Sequence, residues 1–172
     1  MTLLSICNLQ VQFPLPEGTV HALDGVDLSL GEKERLALIG ETGSGKTVLG
    51  RAIVRLLPPG AHVRGEIWYE KTNLLTLPPR EMRKIRGREI AIVLQNPANS
   101  LNPVLKVGNQ IKEAVQARWR IARRPAYRET LNFLQIVGLP ERAAASYPHQ
   151  LSGGMRQRAL LVLGLALHPT GQ

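Results

Sequence analysis

Eight residues, Gly40-Glu41-Thr42-Gly43-Ser44-Gly45-Lys46-Thr47, restrict the fold more than any other part of the chain. They match the pattern Gly-x-x-x-x-Gly-Lys-Ser/Thr, whose glycines let successive backbone N–H groups turn inward around phosphate oxygens. The helix that follows such a loop presents its positive end to the same anion. Lys46 then reaches the β and γ phosphates, and the Thr47 hydroxyl ligates Mg²⁺. This chemistry needs a strand ahead of the loop and a helix behind it. Residues 35–39 (Arg-Leu-Ala-Leu-Ile) are a short, mostly apolar run of the kind buried on both faces of a parallel sheet. Residues 46–57 read as a helix that Pro58-Pro59-Gly60 stops. A Gly-rich turn carrying an exposed lysine is the plainer alternative, and the strand–loop–helix setting counts against it. The segment reads as a nucleoside-triphosphate phosphate loop.

The remaining residues supply layers around that loop. Residues 4–13 are β-prone, Pro14 to Gly18 offer turn chemistry, and residues 20–30 read as a second strand, which predicts an antiparallel β start. A further strand is expected over residues 63–69, a short helix from Pro78-Pro79 to about Ile85, and another buried strand over residues 89–94. Helices are predicted at residues 107–118 and 126–137, the second ended by Gly138 and Pro140, and a last one from about Gly154 to Leu167. The alternation argues for an α/β fold with a parallel sheet. At 172 residues, 44% hydrophobic and 20% charged, the chain suits one domain, or one and a part, and is not disordered. Aromatics are only 4%, so the core must be mostly Leu, Val, Ile and Ala. A single cysteine, Cys7, excludes an internal disulfide framework and a Cys-cluster metal site. On its strand it reads as a small core residue.

A phosphate loop alone does not choose among GTPases, small-molecule kinases and motor ATPases. Two more segments narrow the choice. Leu151-Ser152-Gly153-Gly154-Met155-Arg156-Gln157-Arg158 begins a helix, with Ser152 placed as its cap. Two glycines weaken a helix start unless the backbone must approach something closely. Bare N–H groups beside a serine hydroxyl make an anion site, although an ordinary capped start with a flexible glycine pair reads the same way. The other segment is Gln95, which ends a buried-strand pattern and leads into Asn96-Pro97-Ala98-Asn99-Ser100-Leu101-Asn102-Pro103.

In these motifs the sequence resembles the ATP-binding subunits of ABC transporters. Tyr147-Pro148-His149-Gln150-Leu151-Ser152-Gly153-Gly154 looks like the dipeptide, oligopeptide and nickel importer branch, and residues 95–103 are similar to its Q-loop, with Asn96 where that branch commonly has Asp. The order of motifs, with LSGG about 105 residues after the phosphate-loop lysine, makes the likeness specific. The resemblance implies a P-loop NTPase fold of the ABC ATPase type: an N-terminal antiparallel β part, a helical subdomain and an incomplete core sheet. It divides the chain into residues 1–95 (β part and phosphate-loop core), 96–153 (Q-loop and helical subdomain) and 154–172 (signature helix). It implies ATP and Mg²⁺ as cofactors, with Gly40 to Thr47 around the phosphates. Gln95 senses the γ-phosphate and the metal, and Ser152, Gly153 and Gly154 complete the site of a second subunit in a head-to-tail dimer. Phe13 falls where the family stacks an aromatic on adenine; a strand-end core aromatic is the other reading. The implied partners are a second ATPase subunit, membrane permease subunits and, indirectly, an extracytoplasmic substrate-binding protein. Peptides or nickel are the implied cargo.

In the family the helix after LSGG leads to a strand ending in Asp-Glu-Pro, with a switch histidine later, so the resemblance implies a chain cut short before that strand. The only aspartates are Asp24 and Asp27, and no acidic residue follows Glu141. Without a carboxylate to orient water, these residues are expected to bind ATP but to hydrolyse it only at background rate. A non-hydrolytic nucleotide-binding module is the alternative function, and a DNA-repair or translation ATPase a third that the Q-loop disfavours. The net charge of +9 is compatible with an anionic partner such as nucleic acid or a lipid surface, but the uneven placement of the acidic residues favours a balancing acidic segment that is not part of this chain, and no nucleic-acid partner is expected. The basic run Arg118-Trp119-Arg120-Ile121-Ala122-Arg123-Arg124-Pro125-Ala126-Tyr127-Arg128 reads as a solvated connection between helices, ahead of a membrane-near or membrane-subunit contact and of a nucleic-acid patch. His21, His62 and His149 are too scattered for a metal site. No Lys or Arg precedes Lys33, and the longest strongly apolar stretch, residues 159–167, falls well short of the roughly 20 residues of a membrane span. A cytoplasmic protein, peripheral on the inner face of the membrane, is expected.

Overall fold

Apolar alternation builds the first strand and then slips phase within it. In β1 (Thr2–Leu15) the buried residues are Leu4 and Ile6, then Leu9 and Val11. The slip falls at Cys7 and Asn8, where β1 carries register shifts against both its neighbours. Asn8 has φ 44°, and its N–H donates to Asp27 Oδ1 at 2.8 Å. This is a β-bulge, which turns two consecutive residues away from the core. Cys7 is therefore exposed rather than the core residue the strand pattern suggested.

β2 (Gly18–Gly31) pairs antiparallel with β1 across a two-residue turn at Pro16 and Glu17, as expected. β3 (His62–Tyr69) lies antiparallel on the other edge of β1, and β4 (Thr72–Asn73) on β3, giving the order β2-β1-β3-β4. α1 (Lys46–Ile53) buries Leu49 and Ala52, three apart on one face, and α2 (Pro79–Ile85) buries Met82. The Arg55 guanidinium, just past α1, donates to the carbonyls of Leu74 (3.1 Å) and Leu77 (2.6 Å), closing the turn after β4. The computed structural model describes residues 1–93 and 101–167, which divide into one unit of Met1–Arg83 and a second from Lys84 onward.

The parallel core sheet is not formed among the described residues. Residues 35–39 run as irregular, exposed chain, with Leu36 52%, Leu38 50% and Ile39 91% exposed. Of the expected strand at residues 89–94, Ile90 makes an isolated bridge to Arg86, Ala91 to Val93 are irregular, and Leu94 lies outside the described residues. The reason is hydrogen bonding. A buried parallel strand needs a ladder partner on each side, and the described residues supply neither segment with one. The incomplete core sheet that the resemblance implied is what the structure has.

The second unit is helical. α3 (Val107–Trp119) buries Val107, Ile111 and Val115 at a spacing of four, and α4 (Arg123–Ile136) buries Ala126, Thr130, Phe133 and Leu134. α5 (Gly153–Leu167) adds Ala159, Leu160, Val162 and Ala166 to the same core, joined by Ala143 and Ala144 from a 3₁₀ turn. Trp119 meets Phe133 edge to face at 6.1 Å, a favourable aromatic geometry. The core is almost entirely aliphatic, as the scarcity of aromatics required.

Candidate functional site

The phosphate loop is held between β2 and α1. Gly45 caps α1 with φ 88°, a left-handed conformation that favours glycine. A β-carbon there would lie 2.6 Å from the Ala22 carbonyl oxygen and 2.8 Å from Leu23 Cδ2, so the loop is pressed against β2 with no room for a side chain. The Leu49 N–H donates to the Gly45 carbonyl at 2.9 Å and opens the helix. The Ser44 N–H donates to the Glu41 carbonyl at 3.2 Å and tightens the loop. The first turn of α1 has no acidic residue, so nothing there cancels the partial positive charge of the helix end. The Lys46 ammonium sits inside the curve, donating to the carbonyls of Gly40 (2.8 Å) and Glu41 and to Ser44 Oγ (2.9 Å). Thr42 and Gly43 form the exposed outer bend, and Thr47 is exposed in the first turn of α1.

Phe13 belongs to the same unit. It pairs with Val20, two residues before Ala22 on β2, so it lies roughly 7 Å along the strand from the residues that support Gly45. It is half-buried, neither a full core residue nor a free one. The remaining sequence-derived residues fall elsewhere. Gln95 lies outside the described residues, as do Asn96 to Ser100. Ser152, Gly153 and Gly154 open α5 in the second unit and are exposed. The Met155 N–H donates to Ser152 Oγ at 3.3 Å, so Ser152 caps the helix as expected. A β-carbon on Gly153 or Gly154 would meet nothing within 4 Å, so packing inside the described residues gives neither position a reason to be glycine.

Two residues were missed by sequence reasoning. Gln110 clamps the turn at residues 102–105: its Oε1 accepts from the Asn102 N–H (2.9 Å), and its Nε2 donates to the carbonyls of Asn102 (3.0 Å) and Leu105 (2.9 Å). A mid-helix glutamine carries no signal for that role. Arg156, in the first turn of α5, holds its Nε buried without a hydrogen-bond partner among the described residues. Only a structure reveals such an atom.

The residues of the loop fit a chain of phosphates. They offer a left-handed glycine at a close approach, a helix N-terminus with no acidic residue in its first turn, and a lysine ammonium whose three N–H groups donate to the loop itself and would turn to a phosphate on binding. Thr47 is placed to give a hydroxyl oxygen to Mg²⁺, an ion that usually takes one or two protein oxygens and completes its shell from phosphates and water. No group of three His, Cys, Asp or Glu side chains suited to a metal occurs among the described residues.

The sequence pattern of the family described as ABC transporter matches residues 23–170. The chain belongs to the ABC transporter family. It is 41% identical over 171 residues to the oligopeptide transport ATP-binding protein OppD of Bacillus subtilis, covering 97% of this chain and 48% of that protein. It is 43% identical over 171 residues to a probable peptide ABC transporter ATP-binding protein of Sinorhizobium fredii, covering 97% and 51%. With the dipeptide transport ATP-binding protein DppD of Bacillus subtilis the identity is 41% over 170 residues, covering 96% and 51%. The chain thus spans about half the length of these curated relatives. Among solved structures, the dimeric post-hydrolysis state of the ATP-binding cassette MJ0796 bound to ADP and Pi superposes with a TM-score of 0.85 at 28% identity, over 95% of this chain and 69% of that one. The fold is accordingly that of an ABC ATPase cassette with its core sheet incomplete. Among the described residues of this ABC chain, no helix is long and apolar enough to cross a membrane.

Proposed function

We propose that this ABC chain binds Mg-ATP at the loop Gly40 to Thr47 and serves as the energy-coupling part of a peptide importer. The observation that carries the reading is the loop itself, where the left-handed Gly45, the N-terminus of α1 without an acidic residue and the Lys46 ammonium stand together. Gly40 to Gly45 line the phosphates through their backbone, Lys46 holds their charge, and Thr47 with Gln95 would hold Mg²⁺. Bound ATP supplies the anhydride whose cleavage drives transport; the residues here bind, orient and neutralise it. Phe13 supports the adenine from the β1–β2 hairpin. Ser152, Gly153 and Gly154, exposed and free of packing demands, suit contact with the nucleotide of a second cassette in a head-to-tail dimer.

The names of the relatives support peptide cargo; nickel rests on the earlier resemblance alone. Val104 is 74% exposed beside the Gln110 clamp, which suits the Q-loop end to a permease surface at the inner face of a membrane. The divisions proposed are residues 1–95 for the β part and phosphate-loop core, 96–153 for the Q-loop and helical subdomain, and 154–172 for the signature helix, with the partner-facing Ser152 to Gly154 at the last boundary. Titration with a fluorescent ATP analogue tests the central claim. Lys46→Ala is expected to weaken binding by about 10- to 100-fold, the loss of a charged hydrogen-bonding group. Equal affinity in the two proteins would reject the site.

A further inference from the structure

The basic run between α3 and α4 does more than connect two helices. Asn109 and Lys112, three apart on α3, face Arg123, Arg124, Tyr127 and Arg128 from the first turns of α4 across a pocket of about 430 Å³. That volume lies within the roughly 300–1,000 Å³ of small-molecule sites. Four of the six lining residues are cations and none is a carboxylate. Glu113 and Glu129, the acidic residues adjoining in sequence, are not among them.

Lys112 is the decisive residue. It is only 8% exposed, and lysines are almost never buried unless paired. Its Nζ donates to Asn109 Oδ1 at 3.0 Å, a neutral amide that satisfies one N–H and offsets no charge. A largely buried lysine that lines a pocket with three exposed arginines concentrates positive charge there, which an anion would offset. The first turn of α4 has no acidic residue, so the helix end adds potential of the same sign. Guanidinium forks match phosphate oxygens two at a time, and a partly desolvated lysine adds a point charge beneath them.

We propose that the α3–α4 pocket binds a phosphate-bearing anion, either a soluble phosphate compound or the headgroup of an anionic lipid. The site is distinct from the phosphate loop, which lies in the other unit. The test uses the full chain carrying Lys46→Ala, so that the phosphate loop contributes little. Inorganic tripolyphosphate is titrated in by calorimetry, and in parallel the protein is sedimented with phosphatidylcholine vesicles with and without phosphatidylglycerol. Saturable binding is expected in at least one arm. It should fall about tenfold or more in Arg124→Gln/Arg128→Gln, whose exposed side chains leave the core intact, and in Lys112→Gln. Tripolyphosphate binding identifies a soluble ligand, and binding confined to phosphatidylglycerol vesicles identifies a lipid. No saturable binding in either arm, or binding that both variants retain, overturns the proposal. Nucleotide binding is read separately on the unsubstituted chain, so failure of the phosphate-loop reading leaves this result standing.

Discussion

Gly65 shows how one residue of β3 fixes the shape of the sheet. Its φ is +98°, and a β-carbon there would lie 2.4 Å from the Asn8 carbonyl oxygen and 2.7 Å from that of Cys7. The bulge at Cys7 and Asn8 is thus seated on a position where only glycine fits. Gly65→Ala is expected to destabilise the chain by about 2–5 kcal/mol, combining left-handed strain with overpacking. A lower urea midpoint at unchanged slope would register it. An unaltered midpoint would show that β3 relaxes away from the bulge. Residues of this kind were not legible beforehand. The loop-to-helix turn at Gly45 and Lys46 was, because its pattern sets both residue type and spacing. Cys7 was misplaced because strand alternation gives no sign of the slip that a bulge introduces.

Among the elements, α5 separates fold from function most cleanly. Ser152 caps it through the Met155 N–H, so Ser152→Ala is expected to cost about 0.5–2 kcal/mol. Gly153 and Gly154 have open space around them, and alanine at either is expected to hold or raise stability by roughly 0.5–1 kcal/mol. If these glycines serve a partner cassette's nucleotide, Gly154→Ala nonetheless weakens ATP-dependent dimerisation, measured by size-exclusion chromatography with and without nucleotide. Unchanged dimerisation would leave the glycine pair as a plain helix start. The hairpin β1–β2, β3 and helices α1 to α5 were all anticipated to within a few residues, α1 being the shorter by four at its end. Periodic burial and glycine or proline punctuation suffice for such elements. The two apolar runs at residues 35–39 and 89–94 were not so decided. Their sequence permits a buried strand, and only neighbours with free N–H and C=O groups realise one.

At the scale of the whole molecule the residues proposed to carry the chemistry are divided over two units, Gly40 to Thr47 in one and Ser152 to Gly154 in the other. Phosphoryl transfer to water needs an oriented nucleophile, and no carboxylate follows Glu141 in this sequence. A polypeptide of these 172 residues is therefore expected to release phosphate from ATP no faster than its Lys46→Ala counterpart, in a malachite-green assay under saturating Mg-ATP. A rate clearly above that control would mean that another group among these residues activates water. The family, the Gly-rich loop ahead of α1, the helix cap at Ser152 and the antiparallel opening were determined by sequence alone, the family from the order of motifs along the chain and the others from residues close together in it. The tertiary structure decided what depends on distant residues meeting: the bulge seated on Gly65, the Gln110 clamp on residues 102–105, the pocket that Lys112 shares with three arginines and the irregular run at residues 35–39. Local chemistry is written in adjacent residues, whereas burial and strand pairing are properties of surfaces that exist only once the chain has folded.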